Sequence, residues 1–164
     1  MATGVLHEVT LYYQLLWNAQ RQLAGVALTL DAQPGSMFDA GHFIDALGAL
    51  WRPNAPRLLL RTPSTTLLAG LLDLTPPALA QVEVQSHMLS NAGIGQRVRS
   101  AKQRGLHLVW HGEPGQHPLP AYAPCFTQTI SNLSTDEALL ALRVSLRRRH
   151  GLARTPVSHT GSPV

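Results

Sequence analysis

Three histidines, His107, His111 and His117, fall close together in the chain, and imidazole nitrogens so placed can hold zinc. His107 and His111 lie four residues apart on a segment that reads as a strand passing into a loop. That interval suits a helix better than a strand, and Glu113 is the only carboxylate near them in sequence. With eight histidines in the chain, chance proximity is the better account, and no metal or other cofactor is expected. His42 and His87 read as a helix-face and a post-strand residue. The single cysteine, Cys125, sits beside Pro124. A thiol nucleophile needs a base within reach, and the sequence places none there, so Cys125 reads as packing. Gly93-Ile94-Gly95 precedes a helix, but the rest of a G-x-G-x-x-G phosphate-binding fingerprint is missing. Asp136 and Glu137 fall in a helix first turn, where they complement the helix dipole rather than form a catalytic pair.

The composition narrows the classes further. At 164 residues and 45% hydrophobic content the chain can build one domain with its own core. No apolar run approaches the roughly 20 residues of a membrane helix, and no secretory signal pattern opens the sequence. A lone cysteine fits a reducing cytoplasm. The net charge is +4 with only 13% charged residues. Basic residues gather at Arg97/Arg99/Lys102/Arg104 and Arg143/Arg147/Arg148/Arg149. Both groups fall on expected helices, where a solvated face is the default. No aromatic residues interleave with them as a single-strand platform requires, so binding of a nucleic-acid polymer is not expected.

Strands and helices must position whatever chemistry exists. Tyr13 to Leu30 reads as a β-hairpin around the polar Asn18-Ala19-Gln20-Arg21. Ser36 could cap a helix from Met37 to about Trp51, with an apolar stripe at Phe38, Phe43, Leu47 and Leu50. Strands are expected over Arg57–Arg61, Leu79–Val84, Leu106–Trp110 and Cys125–Ile130, with helices over Ser64–Leu72 and Asn91–Gly105. Gly105 is a natural C-cap. Ser134 with Glu137 makes a capping box that opens a helix over Thr135–His150, with Leu139, Leu142 and Leu146 on one face. Ala153 to Val164 reads as a disordered tail. Residues 1–152 are thus expected to form a single α/β domain, and 153–164 the tail. Strands alternating with helices argue for a parallel sheet, and a full (β/α)₈ barrel needs about 250 residues, so the fold class is α/β, with room for a partial barrel.

The same order resembles that of EAL domains, the bacterial family that hydrolyses cyclic di-GMP, over roughly residues 8 to 148. Tyr13-Gln14 and Gly25-Val26-Ala27-Leu28 match the family's opening hairpin, with Ala27 where a metal-binding glutamate belongs. Leu58-Leu59-Leu60-Arg61-Thr62-Pro63-Ser64 matches a strand whose metal-binding asparagine falls on Arg61. In Ala80-Gln81-Val82-Glu83-Val84-Gln85-Ser86, Glu83 keeps the first of two glutamates and Ser86 takes the second. Ala101 to Trp110 resembles the segment leading into the family's paired aspartates, which fall on His111 and Gly112. Phe126 to Ile130 lacks the family's lysine. The pattern is similar to the divergent EAL-like halves that precede HDOD domains.

The resemblance implies a partial TIM-barrel-like parallel sheet with an N-terminal hairpin, and a site that has lost its chemistry. Two-metal phosphodiester hydrolysis needs several carboxylates, and a guanidinium at Arg61 would repel cations and pair with Glu83 or an anion. The expected function is therefore a non-catalytic regulatory or scaffold domain in bacterial signalling, with no catalytic residues. It would act through a protein partner or as a homo-oligomer, with Leu139, Leu142 and Leu146 as a docking surface. One alternative is a sensor of cyclic di-GMP or another anionic nucleotide, using Arg57, Arg61 and His111 at the C-terminal strand ends around Glu83. A second alternative is a metal-dependent hydrolase using Glu83 and the histidines.

Overall fold

An asparagine turns the chain at its first reversal. Asn18 Oδ1 accepts hydrogen bonds from the backbone N–H groups of Gln20 and Gln22 at 3.0 and 2.9 Å, and Arg21 adopts the left-handed conformation at φ 58°. This turn joins β1 (Val9–Trp17) to β2 (Leu23–Ala32) as the expected hairpin. The computed structural model describes residues 9–130 apart from 19, 34 and 114. The expected helix over Thr135–His150 with Leu139, Leu142 and Leu146, the domain boundary at 152 and the tail lie outside the described residues.

Helix α1 (Ala40–Leu50) begins later than the Ser36 signal predicts. Asp39 takes the cap instead, its carboxylate accepting from the N–H groups of Gly41 and His42 at 2.8 and 3.1 Å. Phe38 and Phe43 close over that turn with ring centroids 5.6 Å apart, the pairing of a residue before the cap with one in the next turn that fixes how a chain enters a helix. Strand β3 (Arg57–Arg61) follows, then α2 (Thr65–Leu74), capped by Ser64. After β4 (Gln81–Gln85), a short 3₁₀ turn at Ser86–Ser90 leads to α3 (Ala92–Gln103), capped by Asn91. Gly105 ends α3 at φ +87°. Its N–H donates to Lys102 and that of Leu106 to Ala101, each at 3.0 Å, so two orphaned carbonyls of the last turn are satisfied. Strands β5 (Leu108–His111) and β6 (Phe126–Ile130) complete the described chain.

The six strands neighbour one another in chain order, β1-β2-β3-β4-β5-β6. The β1–β2 pair is antiparallel and all others are parallel, which is the α/β architecture expected from strand–helix alternation. Helices α1, α2 and α3 pack on one face of the sheet, where Leu30, Leu58, Leu60, Val82, Val84, Leu108 and Trp110 join their residues in one core. Crossovers of a single hand place consecutive helices on the same side. Among the described residues, no helix is long and apolar enough to cross a membrane.

The basic residues of α3 lie on an exposed to half-buried face, as expected, and make local contacts there. Arg104 donates to the backbone carbonyls of Leu72 and Asp73, and Arg97 pairs with the Asp73 carboxylate at 2.9 Å. Cations thus meet the negative end of α2. Arg99 lies over the Tyr122 ring, 4.7 Å from its centroid.

Among the described residues the other sheet face carries no helix, yet Ala27, Leu59 and Val109 are buried there in a second small cluster, with Leu16 and Ile130 against it. Leu59 on β3 and Val109 on β5 are separated by β4, about 10 Å in a flat sheet. The sheet therefore curls toward this face, and its interior is what positions the site.

Candidate functional site

Strand alternation decides which residues enter the curl. In β4, Val82 and Val84 join the helix-side core, so Glu83 between them points to the opposite face. There it is only 2% exposed. A carboxylate out of water requires charged or hydrogen-bonding partners, and the neighbouring strands supply them. Leu60 pairs with Val82 across β3 and β4, which sets Arg61 beside Glu83. Val109 pairs with Glu83 across β4 and β5, which sets His111 one diagonal step away.

The resulting contacts are short. Arg61 Nη2 lies 3.0 Å from Glu83 Oε2, and His111 Nδ1 lies 2.7 Å from Glu83 Oε1. A carboxylate only accepts, so Nδ1 carries the hydrogen and donates, leaving Nε2 for a second partner. Arg61 Nη1 donates to Gln14 Oε1 at 3.3 Å. The Arg61–Glu83 contact is an ion pair rather than an aligned hydrogen bond: Glu83 Oε2 and Arg61 Nε are both buried without a hydrogen-bond partner among the described residues. One carboxylate is thus shared by a guanidinium and an imidazole, each side chain 17% exposed.

Of the residues expected to form a binding site, the structure brings Arg61, Glu83 and His111 together and leaves Arg57 apart. Arg57 opens β3 opposite Gly25, at the far end of the strand from Arg61. It lines an open cleft of about 680 Å³ with Trp51, Arg52, Gln81 and His107. Arg57 and Arg61 share a strand face, but the length of the strand separates them, so the expectation of a joint anion site is not met at one locus. His107 and His111 are likewise held apart by β5. Among the described residues, no three His, Cys, Asp or Glu side chains are grouped as metal ligands. Cys125 is buried in the helix-side core, as its packing role predicts.

Gln14 is a further neighbour of the cluster that sequence reasoning used only as a fold marker. It is 47 residues from Arg61 in the chain. Its signal was present: a primary amide in the otherwise apolar stretch Tyr12-Tyr13-Gln14-Leu15-Leu16. Gly112 is covered by the Trp110 ring, so that a Cβ there would collide with the indole. Comparison of the chain with protein-family models and with curated proteins finds no match.

Proposed function

We propose that this chain is a non-catalytic EAL-like regulatory or scaffold domain, a partial TIM-barrel-like sheet that acts through protein–protein contacts in bacterial signalling. The observation that carries this reading is the state of Glu83. It is the single glutamate left on the strand that resembles the family's metal-binding strand, and Arg61 and His111 already occupy both its oxygens. The hairpin followed by parallel strands in simple chain order, curled with α1, α2 and α3 outside, supports the partial-barrel reading.

The residues present do not fit the family's divalent metals. Hard cations want about six oxygen donors with enough negative charge. Ala27 offers none, Arg61 brings a positive charge, and Ser86, His111 and Gly112 replace carboxylates. The guanidinium neutralises the one anion that remains. No hydrolytic step is therefore assigned to any residue.

The sensing alternative is weaker on the same geometry. Arg61 and His111 are engaged with Glu83, and Arg57 lies at the other end of β3, so little uncompensated positive charge faces an anionic nucleotide. The test is turnover of cyclic di-GMP by the full chain in magnesium and in manganese. No product above the buffer rate is expected; sustained cleavage that Glu83→Gln abolishes would overturn the reading.

A further inference from the structure

Charge is polarised along the parallel strands. Asp31 near the end of β2, Asp39 at the α1 cap and Glu113 after β5 stand where these strands finish. Where they start stand Arg21 in the hairpin turn, Arg52 after α1, Arg57 at the head of β3 and His107 before β5. Arg61, Arg97, Arg99 and Arg104 are each engaged, with Glu83, Asp73, the Tyr122 ring and two backbone carbonyls. The guanidinium groups of Arg52 and Arg57 have no hydrogen-bond or ion-pair partner among the described residues. Both line the same open cleft of about 680 Å³. Buried Leu58 and Ala80 line it too, beside Trp51, whose indole N–H is fixed to the Pro56 carbonyl at 3.0 Å. Among the described residues no carboxylate lines the cleft. Cations of one sign in a recess with low-dielectric walls focus their field on whatever enters.

We propose that this cleft docks an acidic segment of a partner protein, a short extended peptide in which carboxylate side chains are interspersed with apolar ones. This rests on the reading that the domain works through protein contacts, and it names the partner's chemistry and the surface. A guanidinium pairs a carboxylate through two parallel N–H···O bonds, and clustered arginines recognise acidic motifs in this way. Arg52 and Arg57 would take two such carboxylates. The apolar side chains of the peptide would lie on Trp51, Pro53, Pro56 and Pro77, and the Gln81 and Gln128 amides can bond its backbone.

Charge argues that the occupant comes from another molecule. Residues 138–164 of this chain carry five arginines and no acidic side chain, so they match the cleft in sign rather than complement it. Asp136 and Glu137 follow Ile130 in sequence, and Glu8 precedes Val9. Ile130 ends β6, and Val9 pairs with Ala32 at the end of β2, both at the far end of the sheet from the cleft. A small metabolite is a poorer fit, because ligand pockets enclose most of what they bind and this cleft is open.

The experiment is calorimetric titration of the full chain at low salt with the capped peptide Glu-Leu-Glu-Glu-Leu-Glu, and with Gln-Leu-Gln-Gln-Leu-Gln as the neutral control. Saturable micromolar binding of the acidic peptide is expected, and none of the control. Arg52→Gln combined with Arg57→Gln is expected to weaken binding at least tenfold. Arg21→Gln, at the same end of the sheet but outside the cleft lining, is expected to leave it within twofold. In the proton–nitrogen correlation spectrum of the wild type, the Trp51 indole signal is expected to move on saturation while that of buried Trp110 stays. Circular dichroism reports whether each variant is folded, and side chains this exposed are expected to tolerate the change. No saturable binding, equal binding of the control, an unmoved Trp51 signal, or a loss in Arg21→Gln equal to that of the double variant would each overturn the proposal. So would open-ended assemblies of the free protein in sedimentation velocity, diagnostic of one copy's acidic end seated in the next copy's cleft. Cyclic di-GMP turnover measured on the same samples separates the two readings. Absent binding without turnover removes only the cleft, and binding with turnover removes only the non-catalytic assignment.

Discussion

Arg61 Nη2 stands 3.0 Å from Glu83 Oε2 across two adjacent parallel strands, on the sheet face opposite α1, α2 and α3. The partners are unequally buried: Glu83 is almost wholly out of water, whereas Arg61 and His111 each keep some contact with it. This inequality gives the pair a direction. Removing the guanidinium strands a buried anion, while removing the anion leaves a guanidinium and an imidazole that can hydrate in place.

The first prediction follows from that asymmetry. Arg61→Met is expected to destabilise the fold by about 3 kcal/mol, the lower end for breaking a buried pair. Glu83→Gln should cost clearly less, and Arg61→Met combined with Glu83→Leu should recover much of the loss. Urea unfolding of the three variants checks this, and equal losses for both single variants would contradict the asymmetry.

Restoring one carboxylate will not restore a hydrolase. Ala27 is fully buried against Leu59 and Leu16, so Ala27→Glu is expected to lower stability by about 2–3 kcal/mol through a poorly compensated buried polar group. Cyclic di-GMP cleavage should stay at the buffer rate. Appreciable turnover by this variant would show that the correspondence at Ala27, Arg61 and Glu83 is wrong.

Gly112 is closed to any side chain because the Trp110 indole lies over it. Gly112→Asp should therefore push a buried tryptophan out of the helix-side core, at a cost of about 3 kcal/mol from overpacking and an added polar group. A red shift of tryptophan emission together with a lowered melting temperature would report it. An unchanged spectrum and melting point would mean that the indole has room to move.

The end of α3 offers a backbone test independent of the site. Gly105 holds φ +87° in the motif that satisfies the carbonyls of Ala101 and Lys102. Gly105→Ala should destabilise by about 1 kcal/mol, since an L side chain crowds the following carbonyl there. Thermal melting measures this, and a stabilised variant would mean that the turn relaxes to another conformation.

Much of the architecture was legible in order along the chain. The hairpin around Asn18, the helices beginning near Ser64 and Asn91, the Gly105 stop and the strand segments of β3 to β6 each depend on a few neighbouring residues, so their signals survive in a linear reading. The start of α1 was misplaced: the sequence reading put the cap at Ser36, whereas the structure uses Asp39, whose cap is joined by the Phe38–Phe43 closure.

The sequence by itself determined that this protein is built from alternating strands and helices, and that Arg61, Glu83 and His111 fall in or at the ends of strands. Only the tertiary structure decided that these three meet, that Gln14 joins them, and that Arg57 does not. The reason is physical. A side chain's face follows from its parity within its own strand, but its neighbours follow from the register between strands, which is set by packing across the whole sheet. Curl belongs to the same level: it takes Glu83 out of water, and no local run of residues encodes it.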